Sequence, residues 1–435
     1  MAHSNSAAQP HFPEQAPART AGRRQELLIL LALSFVNGVV ALDRLSVNFL
    51  SPFIVADLGL TNGQLGMVSA ALSLSVSISG LVFGMAADSS GKRKLLLVIS
   101  LLAFSILSAG SGLATGFATL FIARLLLGAG EGPIVPLAQS VMTSVSNPAR
   151  RGMNMGIMQI CGAFLIGATL GPPLAVAVAE RFGWQMAFFL SGLPGLIGVA
   201  AVMLVVRDPA RKAAAGPPPS GLPEPVPADP AIMAADVRPD TIRALFTCRN
   251  LLISMAIAGL FTGALTIQNI FMPLYLVKID GFDPGQMSLV LSASGIGGLI
   301  GGFAVPALSD RLGRRPVVVG ASLATAMAPL VMLFVHGPAL VIALMMAVAW
   351  LVMGCAPLVC AVIPGESVAA RRVTTAIALS MFSAETMGGV AVPPLAGWLA
   401  DRHGLGAPFV MAIGLALCCT VLALFLKETA PRSLA

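Results

Sequence analysis

The chain has 435 residues, of which 57% are hydrophobic and only 10% charged, against roughly a quarter charged in ordinary soluble domains. That balance excludes a soluble globular protein and points to an integral membrane protein. The net charge of +7 follows from where Lys and Arg fall between apolar segments, so a nucleic-acid partner is not needed to explain it.

Residues 1–24 are polar and read as a loose tail. Twelve apolar stretches follow, at 26–49, 63–86, 94–114, 118–142, 152–178, 185–206, 250–277, 286–308, 316–335, 339–363, 373–399 and 407–426. Stretches of roughly 20 residues cross a hydrocarbon layer of about 30 Å as helices. A lipid-facing barrel would instead show alternating segments of about ten. The first stretch is too long for a cleaved secretory signal. Between Arg207 and Arg249 hydrophobicity collapses and nine prolines appear, the composition of a linker. The predicted fold is therefore an all-α membrane protein of twelve transmembrane helices in two six-helix bundles. A tail (1–24), an N-terminal bundle (25–206), a Pro-rich linker (207–249), a C-terminal bundle (250–427) and a second tail (428–435) make up the chain.

With the N-terminus cytoplasmic, 21 of the 26 Lys and Arg fall on that side. This asymmetry predicts both termini in the cytoplasm. The six cysteines lack metal-ligand spacing and read as small core residues. Trp184 is expected to anchor at the membrane boundary.

The halves echo one another at an offset of 221 residues: Pro172-Pro173-Leu174-Ala175 recurs as Pro393-Pro394-Leu395-Ala396. Six helices per half keep the repeats parallel, with a substrate site expected at mid-membrane between them. The runs Gly84 to Lys94, containing Asp88, Lys92 and Arg93, and Asp310-Arg311-Leu312-Gly313-Arg314-Arg315 resemble the paired loop motif of the major facilitator superfamily. The first copy departs at Ser89 and the second at Pro306. An Asp at a helix end can cap a neighbouring helix and pair with Arg, so Asp88, Lys92, Arg93, Asp310, Arg311 and Arg314 are candidate gating residues, joined by Glu366 at the same boundary.

Four charged residues lie well inside apolar spans of the N-terminal half: Asp43, Arg44, Arg124 and Glu131. Ionisable groups in lipid are expensive and mark transport paths by default. Arg124 and Glu131 are seven apart, two turns, and share a helix face about 10 Å apart along the axis. Asp43 and Arg44 are adjacent, about 100° apart, so one can face the fourth span while the other faces the cavity. An Asp43–Arg124 pair is expected, leaving Arg44 free. With all four ionised the cluster is neutral, so an entering carboxylate calls for a proton. Burial favours the neutral form of a carboxylate, which makes Glu131 an expected proton carrier.

Asp43-Arg44-Leu-Ser-Val, the run Arg124 to Pro133 and Gly183-Trp184-Gln185 resemble the anion:cation symporter family. The resemblance implies Arg44 as the anion ligand, and Asp43 and Glu131 as proton-titrating groups. Spinster-type transporters are the next nearest likeness. Gln159, Gln268 and Asn269 offer neutral hydrogen bonds to a substrate, and Glu385 is the carboxylate well inside the C-terminal half. The scarcity of polar cavity residues favours an aromatic or apolar acid over a sugar acid. Glycines 162, 167 and 171 in the fifth span and 295, 297, 298, 301 and 302 in the eighth read as close-packed interfaces.

The expected function is proton-coupled symport of a small organic anion by alternating access, in a monomer in a bacterial inner membrane. Lipid or lysolipid movement, drug and proton antiport, and a membrane sensor are the alternatives. No Gly-x-Ser-x-Gly, His-Glu-x-x-His or phosphate-binding loop occurs, so no enzyme, cofactor or metal is expected.

Overall fold

A computed structural model describes residues 22–90, 92–147, 150–206, 242–369 and 372–430, without the side chains of 81, 84–90, 242 and 244. Helices and the short loops between them make up the described residues, and no strand occurs among them. In chain order the long helices are α1 (Arg23–Phe49), α2 (Asn62–Ser90), α3 (Arg93–Leu113), α4 (Phe117–Val145), α5 (Arg151–Phe182), α6 (Trp184–Val205), α7 (Arg249–Lys278), α8 (Pro284–Leu312), α9 (Arg314–Phe334), α10 (Ala339–Glu366), α11 (Val373–His403) and α12 (Ala407–Leu424). All but α2 are long and apolar enough to cross a membrane by length and composition, and α2 is equally long at 29 residues. All twelve predicted spans correspond to one of them. The linker beyond Val206 lies outside the described residues as far as 241.

The internal repeat reappears as equivalent packing. In the N-terminal half α1 packs on α5 and α6, α3 on α6, and α2 on α4. In the other half α7 packs on α11 and α12, α9 on α12, and α8 on α10. The halves meet through α2 against α11 and α5 against α8, again an equivalent pair. Glycine makes these approaches possible, since helices in lipid associate through close packing of small residues. On α8, Gly297 and Gly301 face α10 so closely that a Cβ at Gly301 would lie 2.0 Å from the Leu351 carbonyl oxygen, whereas Gly295, Gly298 and Gly302 face Ala168, Phe164 and Ile160 of α5. Helices α5, α10 and α11 contain wide i→i+5 turns at Ile157–Leu170, Leu358–Val362 and Ala384–Ala391. Such turns are rare and concentrate at functional sites.

One end of the bundle is shut by contacts between the halves. A Cβ at Gly66 would lie 2.3 Å from the Pro393 carbonyl oxygen, and one at Gly397 2.3 Å from that of Asn62. Asp401, at the end of α11, caps the start of α2. Its Oδ1 accepts from the backbone N–H of Asn62 at 2.8 Å and from Asn62 Nδ2 at 2.9 Å, and its Oδ2 accepts from Gly63 N at 2.8 Å. A carboxylate at a helix N-terminus is favoured by the exposed amides and the helix dipole. Asp401→Ala removes all three bonds across the halves. The exposed site is screened by water, so the expected effect is about a tenfold shift toward opening of this end, roughly 1.4 kcal/mol. Distances between spin labels on the 59–61 and 404–406 loops would report it, and an unchanged distribution would show that glycine packing alone holds this end.

At the same end Trp184 is buried and its indole Nε1–H donates to Asp57 Oδ2 at 2.8 Å, joined by Gln185 Nε2 at 3.0 Å. The expected lipid-boundary anchor is therefore an internal tie between α6 and the short helix Ser51–Leu58 after α1. The indole N–H found a carboxylate, and a buried indole rarely goes without a partner.

At the other end Glu428 caps α9. Its side chain accepts from the backbone amides of Arg314, Arg315, Thr429 and Ala430. Burial would push its carboxyl up, but these four amides together hold it below the ordinary carboxylate range. A depressed folded-state value means the stabilisation is present above the unfolded value and fades as pH falls through the folded one. Glu428→Ala should lower stability by about 1 kcal/mol near neutral pH, with the difference from wild type shrinking in acid. Melting curves at two pH values would check both.

Candidate functional site

The four intramembrane charges form two pairs set at different depths from the cavity between the halves. Asp43, on α1, points into the N-terminal half and is fully buried. Its Oδ1 accepts from the hydroxyls of Ser108 on α3 and, at 3.2 Å, Ser191 on α6, while Arg124 NH1 of α4 bonds Oδ2 at 3.3 Å. The Arg124 guanidinium also stacks 4.6 Å above the Phe188 ring, a cation–π contact strengthened by burial. The expected Asp43–Arg124 pair thus exists, and it fastens four helices together. Ser108, Ser191 and Phe188 are the partners that sequence reasoning missed; serines in apolar spans were the available signal, since such hydroxyls seek interhelical bonds.

Arg44, one residue on, turns the other way and reaches the space between the halves, with 38% of its side chain exposed. It is not free. Its Nε and NH2 both bond Glu131 Oε1, at 2.8 and 2.7 Å, and its NH1 lies 3.9 Å from Glu385 Oε1 on α11. The expectation of an unpaired Arg44 fails because Glu131, two turns beyond Arg124 on the face turned to α1, reaches it first. Glu131 is 1% exposed, and its second carboxyl oxygen is buried with no partner. Sequence reasoning counted four charges and a neutral cluster. Glu385 makes it five, with a formal sum of −1 when all are ionised.

Two chambers flank Arg44. One, of about 150 Å³, is lined by Arg44, Arg124, Ser69, Ser73, Thr262, Thr266, Asn269 and Glu385 among others. The other, of about 320 Å³, has Gln159, Asn37, Phe164, Trp350 and Met353 on its walls and shares Arg44, Leu45 and Asn269 with the first. Gln159 and Asn269 therefore border the cavity as expected. Gln268 does not: it is buried, lines neither chamber and donates Nε2 to the Ala264 carbonyl at 3.3 Å in its own helix. A 100° step separates it from Asn269, and only one of two neighbours can face the void. The hydroxyls of Ser69, Ser73, Thr262 and Thr266 and the rings of Phe164 and Trp350 were not singled out from sequence, because isolated Ser, Thr and aromatic residues in apolar helices look the same whether they face a cavity or a neighbouring helix.

Of the gating candidates, Arg314 gathers Asp310 (2.5 Å), Glu366 (3.0 Å) and Ser309, and Thr429 donates to Glu366 at 2.6 Å. This knot ties α8, α9, α10 and the segment after α12 within one half. Arg311 is exposed beside it. Lys92 and Arg93 stand at the equivalent position of the N-terminal half, where α3 begins, and the Asp88 side chain lies outside the described residues. His336 pairs with Asp280 at 3.1 Å at the opposite end, away from the charge cluster.

The description of the Major Facilitator Superfamily matches residues 33–305 and 251–435. The chain belongs to that superfamily. It is 30% identical over 185 residues to the hexuronate transporter of Bacillus subtilis (strain 168), covering 42% of this chain and 43% of that protein. It is 25% identical over 385 residues to the cis,cis-muconate transport protein of Acinetobacter baylyi (strain ATCC 33305 / BD413 / ADP1), covering 86% and 88%. The hexuronate transporter is thus matched over less than half its length. A bacterial homologue of the human lysosomal transporter Spinster, solved in an inward-facing and unoccupied conformation, superposes with a TM-score of 0.66 at 18% identity, over 93% of this chain and 95% of that one, a likeness of fold. The first two relatives are, by name, transporters of organic acids, and as a member of this transporter superfamily the protein is a transporter, not an enzyme.

Proposed function

We propose that the protein takes up an organic carboxylate together with protons, by rocking of its two halves around the central cavity. Arg44 binds the anion, Glu131 carries a coupled proton, and the Asp43–Arg124 pair holds α1 and α4 in register and responds to the charge beside it. The observation that carries this reading is the placement of Arg44: a cation facing a central void, held from behind by a buried carboxylate. A substrate carboxylate and Glu131 then compete for one guanidinium. Whatever protonates Glu131 strengthens anion binding, and by linkage the anion favours protonation. The aromatic wall of the larger chamber favours an apolar or aromatic acid, with Gln159 and Asn269 orienting it. The two relatives named above carry organic acids by name, in support of an anion cargo. The knot around Arg314 and Glu366, with Lys92, Arg93 and Asp88 opposite, forms the cytoplasmic gate. Both termini lie in the cytoplasm of a bacterial cell, and the transporter works as a monomer.

Uptake into proteoliposomes under an imposed pH gradient tests the reading against carboxylates, lysolipids and cationic drugs. Accumulation of a carboxylate driven by inward protons supports it. Expulsion of a cation, or movement of lysolipid with no carboxylate effect, would reject it.

A further inference from the structure

Arg44 has carboxylates on two sides, and they belong to different halves of the molecule. Glu131 of α4 takes its Nε and NH2, and Glu385 of α11 stands 3.9 Å from NH1. At that distance no hydrogen bond forms, so the NH1 edge keeps its donors while Glu385 occupies the space in front of them. Glu385 is the carboxylate on the wall of the smaller chamber, where hydroxyls of Ser69, Ser73, Thr262 and Thr266 supply the remaining polarity. The groups facing it are Arg44 of α1, Ser73 of α2, which borders Gly389 together with Glu385 Oε2, and the thiol of Cys360 on α10. Thr386, next in sequence, spends its hydroxyl on the Phe382 carbonyl of its own helix. Arg44 is therefore the cation at hand.

We propose that Glu385 is a resident counter-anion, holding the substrate's place on Arg44 until it takes a proton, so that each carboxylate crosses with two protons, one on Glu131 and one on Glu385. This rests on the reading that Arg44 binds the anion. Charge supplies the argument. Asp43 and Arg124 cancel, and Arg44, Glu131 and Glu385 sum to −1. A bound monocarboxylate brings the site to −2, with three carboxylates around one guanidinium. Like charges crowded around one cation do not all stay ionised. Two protons restore neutrality. Neutral Glu385 then turns from a competitor into a hydrogen-bond donor, and its O–H can bond the substrate carboxylate from the C-terminal half while Arg44 holds it from the N-terminal half. The anion thus links the halves only when both protons are present. Both protons leave to the cytoplasm with the substrate, after which Glu385 returns to Arg44.

The test is the proton-to-anion ratio in proteoliposomes, read from the pH gradient that just balances an opposing gradient of 3-phenylpropionate or glucuronate, both monoanions. At a gradient of one pH unit and zero potential, wild type should accumulate the anion about a hundredfold and E385Q about tenfold, one factor of ten per proton. Transport by wild type should carry net positive charge inward and speed up with an inside-negative potential. E385Q should be electroneutral and insensitive to it. A variant that merely loosens packing would slow both anions without changing the ratio. A wild-type ratio of one, or an E385Q ratio equal to wild type, overturns the proposal. If a wider set of monocarboxylates gives no proton-driven uptake in wild type, the anion reading beneath it fails as well. Infrared difference spectra recorded on adding the anion give an independent readout: E385Q should remove a carboxyl band that grows in wild type, and no such band would also overturn it.

Discussion

Replacing Arg44 by alanine is expected to abolish recognition of any carboxylate, with affinity falling about a thousandfold. An anion near 4 Å from a guanidinium gains about 4 kcal/mol at an effective dielectric of 20, and this is the interaction removed. Arg124 also borders the smaller chamber, but it is 1% exposed, paired with Asp43 and stacked on Phe188, so Arg44 is the cation open to an entering anion. The same substitution strands Glu131, which is buried and bonds through Arg44. Breaking one partner from a buried pair costs about 3–5 kcal/mol, and lost binding could then be mistaken for lost folding. The pair of variants separates the two effects. Arg44→Ala with Glu131→Gln removes the stranded charge and should recover most of the melting temperature without recovering binding. Arg44→Lys keeps the charge but not the planar fork that serves Glu131 and a substrate at once, and should bind weakly. Binding measured on purified protein alongside thermal unfolding decides the matter. Carboxylate affinity retained in Arg44→Ala would move the anion site elsewhere.

The fold was legible because lipid imposes a length rule, and a repeat of 221 residues showed in the sequence before it showed in the packing. The charge tetrad was legible for a related reason: a charge inside an apolar span has no bland explanation as strong as it would have on a soluble surface. What could not be read was which partner each charge takes. Arg44 and Asp43 are neighbours in sequence, and their 100° separation fixes that they diverge, not toward what. Pairing depends on rotation of α1 about its axis, which is set by Gly38 and Gly162 meeting across the α1–α5 contact, and by Ser108 and Ser191 drawing Asp43 inward. Glu385 stayed ambiguous because its relation to Arg44 crosses between halves more than 300 residues apart in sequence. The Asp401 cap was invisible for the same reason. Trp184 was misjudged because the statistical preference of tryptophan for the membrane boundary says nothing about a carboxylate waiting on a neighbouring short helix.

Glu131→Gln is expected to cut proton-driven accumulation about tenfold per pH unit while leaving exchange of internal for external anion intact. Glutamine keeps an oxygen able to accept from Arg44, so the shape of the site survives, but it cannot pick up and release a proton. In the native protein Oε1 serves Arg44 and Oε2 is buried with nothing bonded to it. An unmatched buried oxygen is costly when ionised, and a proton placed there removes the charge that competes with the substrate for Arg44. The glutamine variant resembles that protonated state permanently. Anion affinity should therefore rise or hold steady and lose the part of its pH dependence that Glu131 supplies, in contrast to Arg44→Ala, where it vanishes at every pH. A coupled proton is worth about tenfold in accumulation per pH unit, so the variant loses the factor that Glu131 supplies and keeps only the drive carried by Glu385. Asp43→Asn separates the two acids. Asp43 is sealed by Ser108, Ser191 and Arg124, and its loss should unsettle the α1–α4 contact and lower the melting temperature before it alters the pH dependence. Gradient-driven accumulation at the full wild-type level in Glu131→Gln would shift its coupled proton to another carboxylate and leave Glu131 as the strut that holds Arg44 in place.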